Sequence, residues 1–196
     1  MSKREKLFYY LLLPLILVFK INKKLNTFLQ KINEIKKVTK TGKNLICGNN
    51  LQIFNKGMIR IGDNVQMGNN IKLIAYAKGK ISIGNNSVIS DGCFIIAGSS
   101  HIEIGNDCLI GEYTSIRASN HGTSSELKIR SQSNINKKVT IGNDVWIGRG
   151  CAIAAGSTLK FGVVIGANSF VGPRLKTKEN SIYGGNPAHF LKARFL

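Results

Sequence analysis

"VTIGNDVWIGRGCAIAAGSTLKFGVVIGANSFVG", residues 139–172, repeats with a period of six. Aliphatic side chains recur at Ile141, Ile147, Ile153, Leu159, Ile165 and Val171. Four residues after such a position comes a small side chain, as at Val145, Cys151, Ser157, Val163 and Ser169. One residue after it glycine is frequent, as at Gly142, Gly148, Gly166 and Gly172. One large inward residue, one small inward residue and a glycine at a bend describe a short strand followed by a corner. Three such units make one coil of a triangular parallel β-solenoid, so the chain is expected to be an all-β repeat protein.

Working outward, near-copies of the same hexamer stand at "IRIGDN" (59–64), "ISIGNN" (81–86) and "IEIGND" (102–107). Large positions fall at 61, 67, 73, then 83, 89, 95, then 104, 110, 116, and small ones include Val65, Ala77, Ser87, Cys93, Cys108 and Thr114. The steps from 73 to 83, 95 to 104 and 116 to 141 exceed six by four, three and nineteen residues. Each excess follows the third hexamer of a coil, so all three insertions are predicted to leave one corner of the prism. The largest carries "RASNHGTSS" (117–125) with His121, and a long polar excursion from a stiff frame is where function is expected. Cys93, Cys108 and Cys151 take the small inward position and read as fillers. With Cys47 they form no C-x-x-C pair and no metal-ligand spacing, which points to reduced thiols in a cytoplasmic protein without a metal.

With 28 Lys and Arg against 10 Asp and Glu, the chain carries a formal charge of +18. Residues 1–44 hold eleven of the bases and two acids, half of that excess. Anionic partners are therefore favoured, and the N-terminal segment is set apart from the repeats. Its apolar run from Leu7 to Phe19 lies between basic clusters and is too short to cross a bilayer untilted. A helix lying in the membrane interface is the expectation, peripheral to the inner face of the cytoplasmic membrane, with packing against a neighbouring subunit as the alternative. Pro14 is expected to kink or end that helix, and Ile21, Leu25, Phe28, Leu29, Ile32 and Ile35 to form an amphipathic connector after it. The organisation expected is a helical segment over 1–44, a solenoid over 45–180 with a long loop at 117–139, and a C-terminal tail at 181–196.

The hexamers, the loop histidine, "IGNDVWIGRG" (141–150), "VVIGANSFVG" (163–172) and "SIYGGNPAHFLK" (181–192) together resemble the hexapeptide-repeat, left-handed β-helix acetyltransferases. The likeness is greatest to bacterial capsule, O-antigen and polysialic acid O-acetyltransferases. It implies a homotrimer of left-handed prisms with active sites between subunits and acetyl-CoA as co-substrate, acetylating a surface-glycan or lipid-linked sugar. It also implies that His121 is the general base: a sugar hydroxyl attacks a thioester well only as its proton leaves, and an imidazole can take that proton and pass it to the departing thiolate. No acetyl-enzyme is required. By the same resemblance Trp146 walls the cleft against acceptor and cofactor, or packs in the trimer contact. Asp91 aligns with an acceptor-pocket position, or is simply a polar corner residue. Arg149, Arg174, Lys176, Lys178 and Lys192 are the cations expected near the phosphates of coenzyme A, with Ala167 near the pantetheine arm and Pro187 near the adenine. The stretch "VGPRLKTKEN" (171–180) is longer than the family pattern, which leaves the phosphate ligand open among Arg174, Lys176 and Lys178. Arg130, Lys137 and Lys138 in the long loop are open to contact with coenzyme A, with an acidic acceptor, or with solvent alone.

Three other readings are carried forward. A γ-class carbonic anhydrase would need three histidines on zinc, and the spacing of His101, His121 and His189 argues against it. A basic, non-enzymatic solenoid for nucleic acid lacks the interleaved aromatics such a surface uses, so no nucleic-acid partner is expected. Transfer to the amine of an amino-sugar nucleotide remains open, because base catalysis would look alike.

Overall fold

The structure, a computed structural model, describes residues 3–76 and 78–194, with the backbone alone for residues 3–18. Ala77 and the side chains of the Leu7–Val18 run lie outside the described residues. Helix α1 (Lys3–Ile35) passes through residue 14 without ending, so the two helical stretches read from the sequence form one element. The rest is a left-handed parallel β-helix of about seven turns whose three faces are three parallel sheets. This hand is the exception among parallel crossovers, which are otherwise right-handed.

The first face stacks Lys40–Thr41, Met58–Ile61, Lys80–Ile83, His101–Ile104, Val139–Ile141 and Thr158–Leu159. The second stacks Ile46–Cys47, Gln66–Met67, Val88–Ile89, Leu109–Ile110, Trp146–Ile147 and Val164–Ile165, and ends with Ser181–Gly185 and the antiparallel Ala188–Ala193. The third stacks Gln52–Asn55, Lys72–Ala75, Phe94–Gly98, Ser115–Arg117, Ala152–Ile153 and Phe170–Val171. Each of the three long steps in the period leaves between the third face and the first, from one corner, as the sequence spacing predicts.

Register fixes the core. Met67, Ile89, Ile110, Ile147 and Ile165 fall directly over one another on the second face, and every large position read from the period is buried. Each fully buried isoleucine contributes about 2 kcal/mol by area. The small inward residues have a further reason for their identity. Ser87 and Thr114 hydroxyls donate to the corner carbonyls of Gly105 and Gly148, one coil on. The thiols of Cys93, Cys108 and Cys151 reach Gly111, Gly142 and Gly166 in the same way, at 3.1–3.2 Å. A small side chain with one donor therefore fills the space and satisfies a buried carbonyl.

Corners are tied by amide ladders. Asn44, Asn64, Asn86 and Asp107 take left-handed backbone, and each amide donates to the next side chain along the column at 2.9–3.0 Å. Asparagine suits both demands, tolerance of positive φ and self-pairing.

Strand pairing extends beyond 45–180 at both ends. Lys40–Thr41 pairs with Arg60–Ile61, and the six-residue step continues past Val171 to Thr177 and Tyr183, both buried. These turns escape an aliphatic template because Thr41, Thr177 and Tyr183 occupy its large position. The Tyr183 hydroxyl accepts from the Lys178 backbone N–H at 2.7 Å, and its ring meets Phe190 edge to face.

Candidate functional site

Two surfaces carry the residues singled out by sequence. On the second face the outward column runs Val88, Leu109, Trp146, Val164, Ile182, an apolar stripe on a solvent-facing sheet. Trp146 stands at its centre, 53% exposed, with a groove on either side. One groove, of about 650 Å³, runs from this column to the corner between the second and third faces and is edged by Ser90, Glu112, Arg149 and Ala167. The other, of about 550 Å³, is bounded by Asp107, Asp144, Lys192 and Arg194. In it the Arg194 guanidinium donates to the Asp144 carboxylate at 2.8 Å and to the Gly162 carbonyl at 3.0 Å.

The first groove is shaped by its glycines. A Cβ on Gly148 would come within 2.6 Å of the Ala167 backbone nitrogen, and one on Gly111 equally close to that of Arg149. Successive coils therefore approach to backbone contact here, and the peptide at Ala167 stays open to solvent. A slender, partly apolar chain can lie along such a wall, with Arg149 offering charge at its rim.

Asp91, Glu112, Arg149 and Ala167 occupy one column at this corner, a relation visible only when the hexamers are written beneath one another. Asp91 ends a second corner column, in which the Asn49 N–H donates to Asn69 and Asn69 in turn to Asp91: its carboxylate accepts from the Asn69 N–H at 2.7 Å and from the Asn69 amide at 3.1 Å. Those hydrogen bonds hold its pKa below the usual carboxylate range, so it is an anion at neutral pH. Glu112 and Ser90 were not picked out from the sequence, because nothing but register brings them to the groove.

His121 is exposed and lies elsewhere on the chain's own surface, in the excursion at the corner between the third and first faces. That loop is built. Ser119–Asn120 pairs antiparallel with Ile135–Asn136, and the Lys137 N–H donates to the Ala118 carbonyl at 2.9 Å. Inside it Gln132 accepts from the Ser124 N–H and donates to the Ser124 and Leu127 carbonyls, all at 2.9 Å. A Cβ on Gly122 would lie 2.6 Å from Gln132 Oε1, so the residue after His121 must be small for this packing to form. Lys138 reaches out of the loop to Glu103 on the first face, at 2.7 Å.

Arg174 and Lys176 follow the last strand of the third face and emerge at the corner of the insertions, not at the groove. A Cβ on Gly156 would meet both Pro173 and Lys137, which places this segment beside the base of the long loop. Pro187 is exposed in the turn between Ser181–Gly185 and Ala188–Ala193. Within one chain, then, Trp146, Arg149 and Ala167 share a groove, Trp146 and Lys192 share the adjoining one, and His121, Arg174 and Lys176 belong to another corner. Among the described residues no three His, Cys, Asp or Glu side chains gather to hold a metal ion. All four thiols are pushed up by burial, Cys93 to about 11, and are protonated at neutral pH.

No protein-family profile matches the chain. WbbJ of Escherichia coli K12, assigned to lipopolysaccharide biosynthesis as an O-acetyl transferase, is 33% identical over 148 residues, 71% of this chain and 74% of that protein. WcaF of the same organism, assigned to colanic acid biosynthesis as an acetyltransferase, is 28% identical over 155 residues, 79% of this chain and 69% of that protein. Among solved structures, AntD, an N-acyltransferase from Bacillus cereus in complex with dTDP and 3-hydroxybutyryl-CoA, superposes with a TM-score of 0.71 at 26% identity, covering 85% of this chain and 88% of that one. The period of six, the coil it builds and this kinship agree, and the chain belongs to the hexapeptide-repeat, left-handed β-helix acetyltransferases.

Proposed function

We propose that the protein transfers an acetyl group from acetyl-CoA to a sugar hydroxyl of a bacterial surface glycan, with His121 as general base in a ternary complex. The observation that carries this reading is the ordered excursion that holds His121 at the edge of an otherwise regular prism, in a chain that aligns with WbbJ over 71% of its own length. His121 accepts the hydroxyl proton as the new C–O bond forms. The C–S bond breaks, and the same proton passes to the thiolate to give free coenzyme A. Direct transfer suits the thiols, of which Cys93, Cys108 and Cys151 are buried and all four are protonated at neutral pH.

The groove beside Trp146 fits the co-substrate. Its floor is apolar, its wall at Ala167 exposes backbone, Arg149 stands at its rim, and Lys192 borders the adjoining groove across Trp146, which suits a pantetheine arm with phosphates. Because His121 and this groove lie at different corners of one chain, a complete site calls for a second subunit. A homotrimer, with His121 of one prism facing the groove of its neighbour, meets that need. Trp146 then serves at the boundary. Asp91 and Glu112 supply carboxylates for acceptor hydroxyls at the same corner.

Transfer to an amine is the second reading, favoured by the likeness to AntD, an N-acyltransferase whose complex holds dTDP. One experiment separates them. Coenzyme A release from acetyl-CoA is followed with neutral sugars, oligosialic acid, lipid-linked glycans and amino-sugar nucleotides, with mass detection of product, beside His121→Ala. O-transfer gives a base-labile product, and the variant loses two to four orders of magnitude in turnover. A base-stable product formed only from amino sugars establishes the amine reading. Unchanged turnover in His121→Ala removes the base assignment.

A further inference from the structure

Helix α1 carries a surface that the acyl-transfer reading does not use. Its 33 residues span about 50 Å, and among the described side chains those of its C-terminal turns bond to the solenoid. There Ile35 packs against the core, the Glu34 carboxylate accepts from the Ile53 N–H, and the Lys31 ammonium donates to the Cys47 carbonyl at 3.0 Å. The turns from Lys20 to Leu29 face the first coil only across an open cleft. Ile21, Leu25, Phe28 and Leu29, spaced four, three and one apart on a single stripe, are 55, 50, 59 and 47% exposed. Beside them Lys20, Lys23, Lys24 and Lys31 line a cleft of about 530 Å³ against Asn49 of the first coil, and no acidic residue lines it.

We propose that this surface docks on an anionic phospholipid bilayer, the stripe entering the acyl boundary and the lysine cleft receiving lipid phosphates. A continuous apolar stripe edged by cations on one side is the composition of an interfacial helix. Among the described residues no helix is long and apolar enough to cross a membrane, which suits lying in its surface. Charge decides between occupants. A second copy seated here by its own helix would set one lysine cluster against another, whereas an anionic surface neutralises them. A nucleic acid would satisfy the lysines and leave the stripe in water. The inference is independent of which acceptor is acetylated.

The test is co-sedimentation of the full-length protein with vesicles of phosphatidylcholine alone or mixed with phosphatidylglycerol. Binding is expected to the mixed vesicles only and to fall with added salt. Lys20→Gln/Lys23→Gln/Lys24→Gln, which keeps helix propensity on exposed positions, is expected to weaken it about a hundredfold. Leu25→Gln/Phe28→Gln is expected to weaken it more than tenfold, with circular dichroism showing the helix retained. Equal sedimentation with both vesicle types, sedimentation with neither, or unaltered binding in both variants would overturn the proposal. So would a drop in solution mass of either variant in the absence of lipid, which would assign the face to a second copy.

Discussion

Tyr113 adopts φ +58° at a corner where the other described non-glycine residues with positive φ are all Asn or Asp. Its ring lies over Gly92, where a Cβ would come within 2.6 Å of it, and it is 66% exposed. A bulky side chain in left-handed backbone costs roughly 1 kcal/mol, and little burial offsets it here. Tyr113→Asn is therefore expected to raise the melting temperature by a few degrees, measured by thermal unfolding; a lower value would mean that the ring contact outweighs the strain. The conformation itself was not legible in the sequence, because "IGEYTS" differs from its sister corners only by substitution. The large inward positions from 61 to 171 were legible to the residue, since their burial follows the period, whereas Thr177 and Tyr183 were not. Cys93, Cys108 and Cys151 read correctly as fillers, although only the coordinates show each thiol on the carbonyl of the next coil.

Among elements, the long loop is held by one side chain as well as by the strand pairing at its base. Gln132 makes three hydrogen bonds across the excursion and packs on Gly122, next to His121. Gln132→Ala is expected to lower kcat for acetyl transfer by roughly tenfold, by loosening the placement of the imidazole, while KM for acetyl-CoA and the melting temperature stay near wild type. A parallel rise in KM for acetyl-CoA would show that the loop also shapes the cofactor groove. The sequence exposed the loop as a break in the period and exposed His121 within it. It did not expose Gln132, since a polar residue in polar filler carries no periodic signal. Helix α1 shows the converse: its apolar spacing was plain, but its continuity through Pro14 was not, because proline permits either a kink or an end.

For the whole molecule, coils touch only their neighbours, so stability accumulates along the axis. The period gave the prism, its three faces and the corner of the insertions, while its hand came from resemblance, since either hand shows the same spacing. The sharing of a site between subunits was likewise carried by resemblance, and the structure adds that His121 and the Trp146 groove lie at different corners of one chain. The junction of α1 with the first coil bears on something else, the length of the particle. A stack of identical rungs has no inherent stopping point, and its terminal rung offers open backbone donors and acceptors to any matching rung. Here the Glu34 carboxylate takes the Ile53 N–H, Lys31 takes the Cys47 carbonyl, and Asn55 turns its amide to Lys37. A chain lacking residues 1–37 should leave that rung bare and grow head to tail into filaments visible by negative-stain microscopy, whereas the intact protein remains a discrete particle. On that outcome the helix would be a terminator of axial polymerisation as well as an appendage of the enzyme.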